Sequence, residues 1–224
     1  MRYGFAHRGG RAHGPDNVLP TFTEALARGA RAIETDAWVT ADGIVVLDHD
    51  GLHRAGAADE VPITTVRRAE LAVHIPTLDD LYRSCGTDFE LAVDAKGDGG
   101  APAIADVARR HGAADRLWVF TPSAVLPGAI EPAHAGVTVR GRQLWRRSRR
   151  RELLRHLAGD GVEVVNARWP YWHRRAVDDV HELGLLAFAW DVQWRLALAR
   201  CRRLGIDGIF SDHVNLLHKA LTGP

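Results

Sequence analysis

The chain has 224 residues, 46% of them hydrophobic, enough to bury one sizeable core as a single domain spanning 1–224. Its formal net charge of +1 excludes the large single-signed field that would gather nucleic acid or an acidic membrane by bulk attraction. Two distant cysteines, Cys85 and Cys201, the absence of a signal-peptide pattern in MRYGFAHRGG, and no apolar run of membrane-spanning length give the expectation of a soluble cytoplasmic protein with reduced thiols and no stable membrane insertion.

Taken in chain order, short apolar or β-branched runs alternate with stretches of helical period. Strands are expected at 3–6, 30–37, 89–95, 117–121, 136–139, 162–166, 185–190 and 206–211, eight in all. Helices are expected at 19–28, 78–84, 101–111, 149–159, 174–183 and 193–204. This βα alternation over the length of the chain predicts an α/β fold, a TIM (β/α)8 barrel, in preference to an open doubly wound sheet. One stretch departs from it. Thr40-Ala41-Asp42-Gly43-Ile44 places Asp-Gly between two strand-like runs, a short-range signal for a β-hairpin after the second strand. The run 52–73, which includes Gly56 and Pro62, reads as a loop excursion before the next helix.

In such a barrel the reacting groups gather where strands end, at the C-terminal face. His7 closes the first strand. Glu34 and Asp36, two apart near the end of the second, face one side, as a hard cation requires. With Asp42 and Gly43 as the two turn residues, antiparallel register sets His49 opposite Asp36, roughly 5 Å between Cβ atoms. The third strand offers Asp94 and Lys96, again two apart, and Lys96 is one of only two lysines, with Lys219. Together these supply carboxylates for a divalent cation, two imidazoles for proton transfer, and Arg8 with Lys96 for anionic oxygens. That inventory suits cleavage of a phosphodiester, whose charged oxygens repel a nucleophile and whose alkoxide leaves poorly without a proton.

The same residues resemble the glycerophosphodiester phosphodiesterase family. The likeness runs through His7-Arg8-Gly9, Pro15-Asp16-Asn17, Ala30-Arg31-Ala32-Ile33-Glu34-Thr35-Asp36, Thr40-Ala41-Asp42-Gly43 and His49-Asp50. It resumes in Ile75-Pro76-Thr77-Leu78, Val93-Asp94-Ala95-Lys96, Ala189-Trp190-Asp191-Val192 and the block from Leu204 to Asp212. The resemblance implies metal-dependent hydrolysis of glycerophosphodiesters to glycerol 3-phosphate and an alcohol. Glu34, Asp36 and Asp94 would hold one cation, Mg²⁺ or Ca²⁺ with Mn²⁺ as a further option. His7 and His49 would be the acid and base pair, and Arg8 and Lys96 would contact the phosphate. Asp94 stands where glutamate is usual, and Asp16, Val18 and Asp191 also depart from the family pattern. The partner implied is a small glycerophosphodiester, with no nucleic acid. Two rival readings stay open, a lyase that stops at a cyclic phosphate and a non-catalytic phosphodiester binder.

Blander readings apply elsewhere. The remaining histidines are expected to be satisfied polar residues, and the basic run 146–151 to be a solvated helix start. The tryptophans are expected to pack in the interior, except Trp190, which closes the seventh strand and is placed to wall the mouth or stack on a cationic head group.

Overall fold

Tyr3–Ala6 (β1) carries Phe5 and Ala6 with no exposure at all, and this pattern of short, fully buried strands recurs around the molecule. The computed structural model describes residues 1–54, 60–97, 99–122 and 127–222. After β1 come Leu19–Ala27 (α1), Ala32–Val39 (β2), Val45–Leu47 (β3), Leu52–Arg54 (β4), Glu60–Pro62 (β5), Leu78–Cys85 (α2) and Glu90–Ala95 (β6). The second half contains Gly100–Arg110 (α3), Leu117–Thr121 (β7), His134–Thr138 (β8), Arg147–Gly159 (α4), Val164–Arg168 (β9), Arg174–His181 (α5), Leu186–Trp190 (β10), Arg195–Leu204 (α6), Gly208–Ser211 (β11) and Val214–Thr222 (α7).

Eight parallel strands close into a barrel in the order β1, β11, β10, β9, β8, β7, β6, β2, with β2 returning to β1 through Ala6 and Ile33. The expected TIM barrel is therefore the observed fold. Its eight strands correspond one for one to the expected eight, with ends that differ by a few residues. All six expected helices are present as well. Helix α7 is an addition: its apolar residues Val214, Leu216, Leu217 and Ala220 are buried, and Leu217 lies where a Cβ on Gly4 of β1 would meet it at 3.5 Å.

The barrel interior is aromatic. Phe5, Trp118, Phe120, Phe188 and Phe210 form one buried cluster, with the Phe5 and Phe210 rings stacked at 5.0 Å. Rings of this size fit only where facing positions are small. A Cβ on Gly136 would lie 2.5 Å from the Phe120 ring, and one on Gly208 would lie 2.7 Å from Phe188, so these two glycines make the space the aromatics fill. Two larger aliphatic clusters seal the outside of the barrel against its helices.

The hairpin after β2 forms, with a register one residue away from the expected one. Ala37 pairs with Leu47, Trp38 with Val46 and Val39 with Val45, because Ala41, Asp42 and Gly43 all lie in the loop. Thr40 holds that loop: its hydroxyl donates to Asp42 Oδ1 at 2.6 Å and accepts from the Ile44 amide at 3.0 Å. Asp36 consequently faces Asp48, whose amide donates to the Asp36 carbonyl at 3.1 Å, and His49 is not opposite Asp36. The excursion over 52–73 contains the two-stranded ribbon β4–β5 and two short 3-10 turns, while 55–59, with Gly56, lie outside the described residues.

The basic run also differs from expectation. Arg150 is only 2% exposed, and its Nε donates to Asp179 Oδ2 at 2.7 Å across the α4–α5 interface. Arg151 donates to the other oxygen, Asp179 Oδ1, at 2.7 Å. Burial pushes the Asp179 carboxyl up, yet the bonds from Arg151 and Arg150 outweigh it and hold the group below its ordinary value. Substituting Arg150→Met leaves Asp179 buried and half-paired, so a loss of about 3–5 kcal/mol in urea unfolding is expected. Because the folded pKa is depressed, the wild-type contribution is present above about pH 4 and fades as pH falls through the folded value.

Candidate active site

At the C-terminal ends of the strands His7, Arg8, Glu34, Asp36, His49, Asp94, Lys96 and Trp190 line one cavity of about 230 Å³. All the residues singled out from sequence therefore meet at one place. Four further residues line it without having been singled out: Phe120, Thr138, Asn166 and Phe210.

The chain after β1 is shaped to bring main chain and side chain to one carboxylate pair. Arg8 adopts a left-handed conformation, φ 50° and ψ 38°, which a non-glycine residue takes only where its surroundings impose it. That turn aims the Arg8 amide at Glu34 Oε2, 2.8 Å away, and brings its guanidinium Nε to 3.2 Å from Asp36 Oδ2. The other end of the guanidinium pairs with Asp16 at 2.9 Å. Gly9 must follow in the same region, because a side chain there would run into the Phe22 ring of α1.

His7 is oriented by a residue that the sequence reading left without a role. Its Nδ1 lies 2.6 Å from Asp212 Oδ1, just past the end of β11, which leaves Nε2 facing the cavity, 3.9 Å from Glu34 Oε2. Burial pushes the His7 imidazole down, but the carboxylates of Glu34 and Asp212 outweigh that and hold it above its ordinary value. The Asp212 carboxyl moves the opposite way: burial raises it and the bond to His7 lowers it, with a net depression. The signal for Asp212 was present in the Ser211-Asp212 pair that ends the last strand beside the first, since Ala6 pairs with Ser211.

Asn17 is the second residue without an assigned role. It is buried, also in the left-handed region with φ 55°, and its amide donates to Asp36 Oδ2 at 3.1 Å while its oxygen accepts from Thr35 at 2.8 Å. Asp36 and Asp94 are directly paired in the β2–β6 register. Lys96 lies between them, its Nζ 3.0 Å from Asp36 Oδ1 and 2.5 Å from Asp94 Oδ2. Burial pulls the ammonium pKa down, and the two carboxylates outweigh it, so Lys96 is firmly charged.

Glu34 has no comparable cation. Burial, with Asp36 and Asp94 nearby, pushes its carboxyl up to about 7 in spite of His7 and the Arg8 amide. This is the behaviour of a carboxylate that a positive charge would complete. The donor set of Glu34, Asp36 and Asp94 is all oxygen, as a hard divalent cation takes, so the residues fit such an ion in chemistry. Among the described residues no three acidic, histidine or cysteine groups already converge as a metal centre, because Lys96 stands between two of the three carboxylates.

His49 lies beyond the end of β3, its side chain 41% exposed, with Nδ1 2.7 Å from Asp50 Oδ1. Trp190 is 37% exposed at the end of β10, and the Arg168 guanidinium lies 5.8 Å from its ring centroid while binding Asp191 Oδ2 at 2.7 Å. One face of the indole is thus covered by a cation of the chain itself. Trp118 and Trp172 are buried as expected, whereas Trp145 and Trp194 are exposed, contrary to the packing role read from the sequence.

Residues 7–97 match the model of the glycerophosphoryl diester phosphodiesterase family. The chain is 27% identical over 98% of its length, and 90% of the relative's, to a Mycobacterium tuberculosis protein named "Probable glycerophosphodiester phosphodiesterase 2". Among solved structures it is similar to a glycerophosphodiester phosphodiesterase from Thermotoga maritima, TM-score 0.81 with 20% identity over 98% of each chain. It is also similar to an Oleispira antarctica phosphodiesterase in complex with the product sn-glycerol-3-phosphate, TM-score 0.82 with 19% identity over 99% of this chain and 97% of the other.

Proposed function

We propose that the chain is a member of the glycerophosphoryl diester phosphodiesterase family, whose model residues 7–97 match, and that it hydrolyses glycerophosphodiesters to glycerol 3-phosphate and an alcohol, with His7 as a proton-transfer residue. The observation that carries the reading is the Asp212–His7 pair, which fixes the imidazole with Nε2 open to a cavity that also holds Arg8, Lys96 and three carboxylates.

In this mechanism Arg8 and Lys96 face the anionic oxygens of the phosphodiester and reduce the repulsion of an incoming oxygen nucleophile. The attacking water loses a proton to one imidazole as the new P–O bond forms. The P–O bond to the alcohol breaks, and the departing alkoxide takes a proton from the other imidazole. His7 is the acid of the pair, because its two carboxylate neighbours keep it protonated further up the pH scale, and His49 at the open rim is the base. Glu34, Asp36 and Asp94 would hold a divalent cation, Mg²⁺, Ca²⁺ or Mn²⁺, which when bound supplies Lewis-acid stabilisation to a phosphoryl oxygen. The apolar wall of Phe120 and Phe210 keeps bulk water from the inner side of the cavity.

The test is turnover of glycerophosphocholine and glycerophosphoethanolamine followed by phosphorus NMR. Accumulation of glycerol 3-phosphate is the expected outcome. A cyclic phosphate that persists would replace hydrolysis by a lyase reaction, and unchanged substrate with measurable affinity would leave a binding protein.

A further inference from the structure

We propose that the rim of the barrel mouth over β8 to β10 docks on an anionic lipid surface. Three βα loops build that rim, and each ends in a helix whose first turn contains no acidic residue. Arginine stands there instead, with Arg147 and Arg149 opening α4, Arg174 and Arg175 opening α5, and Arg195 opening α6. A helix N-terminus carries partial positive charge, so cations there oppose the dipole; Arg174 is spoken for within the fold, donating to the carbonyls of Leu204 and Arg203 at the end of α6. Arg150 and Arg151 are accounted for by Asp179 and Glu182. Arg142, Arg146 and Arg149 have no carboxylate partner among the described residues and line an open groove at the start of α4.

Large apolar side chains project from the same rim. Trp145 is 65% exposed between two of these arginines, Trp194 is 59% exposed at the N-terminus of α6, and Leu196 is 85% exposed one residue beyond Arg195. Indole rings sit at the headgroup level of a bilayer, an aliphatic residue enters just below, and guanidinium groups bind lipid phosphates, so this combination is complementary to an anionic interface. A polynucleotide would use the arginines and could stack on an indole, but it has no use for the exposed aliphatic side chain of Leu196. Thr138, Asn166 and Trp190, at or near the ends of the strands that feed these loops, line the catalytic cavity, so docking would present that cavity to the surface. The consequence, which rests on the phosphodiesterase reading, is a preference for phosphodiesters embedded in lipid over those free in water.

The experiment is co-sedimentation of the full chain with vesicles of phosphatidylcholine alone and of equimolar phosphatidylcholine and phosphatidylglycerol, without substrate, so that it is independent of turnover. Binding to the anionic vesicles alone is expected, lost as salt approaches about 0.5 M. The triple variant R142Q/R146Q/R149Q should bind roughly a hundred-fold more weakly, and W145A/W194A at least several-fold more weakly. Both variants should keep wild-type turnover of water-soluble glycerophosphocholine, because none of these residues lines the catalytic cavity. Absence of binding to anionic vesicles, equal binding by both variants, or preferential binding of a single-stranded oligonucleotide at the same salt would each overturn the proposal.

Discussion

His7→Ala is expected to lower kcat on glycerophosphocholine by roughly 10²–10⁴-fold, the ordinary yield of a positioned proton-transfer group, with a much smaller change in KM. The side chain is partly exposed at the mouth, so thermal unfolding should move little and a folding defect is separable from a catalytic one. Asp212→Asn gives the sharper comparison. It keeps the size of the group at 2.6 Å from Nδ1 while removing the charge that helps raise the His7 pKa. A carboxylate favours the protonated imidazole, so its loss lowers the His7 pKa and the alkaline limb of the pH–rate profile should shift to lower pH. A purely structural Asp212 would change Tm and leave that limb in place. His49→Ala should also reduce kcat. Intact activity in that variant would remove His49 from the acid and base pair.

Much of this site was legible because its parts lie at strand ends, where a period of two and the parallel barrel together decide which side chains converge. Glu34, Asp36, Asp94 and Lys96 needed nothing beyond that rule, and the β2–β6 register sets Asp36 beside Asp94. The hairpin shows where local pattern fails. Asp-Gly marks a turn, but loop length is decided by Thr40, whose hydroxyl closes a three-residue loop, and one residue moves His49 off the face opposite Asp36. Asn17 carried no such signal, and the one at Asp212, its place just past the end of the last strand, named no partner. Each acts through a partner far along the chain, Asp212 on His7 and Asn17 on Asp36, and only closure of the barrel brings them together. Arg150 belongs with them, since nothing in a run of arginines distinguishes the one that turns inward to Asp179.

Glu34→Gln is expected to abolish divalent-cation affinity in titration calorimetry while leaving the protein as stable as before or more so. In the wild type, chelation with EDTA should reduce turnover at least a hundred-fold, in line with the several kcal/mol a Lewis acid supplies, and one of Mg²⁺, Ca²⁺ or Mn²⁺ should restore it. The stability half of the prediction follows from burial. A carboxyl raised from its ordinary range to about 7 is harder to ionise folded than unfolded, so it removes stability as pH rises from about 4.5 through 7. Glutamine still accepts from the Arg8 amide at the position of Oε2 and never ionises, so at pH 8 the variant should gain about 1–3 kcal/mol over the cation-free wild type. If Glu34 served only the fold, the substitution would leave EDTA sensitivity and cation affinity unchanged. Lys96 sets the strength of the effect, because its ammonium holds Asp36 and Asp94 in the cation-free chain and a divalent ion must compete with it. Lys96→Met should therefore tighten cation binding while it lowers turnover, since the charge that competes with the cation also faces the phosphate oxygens.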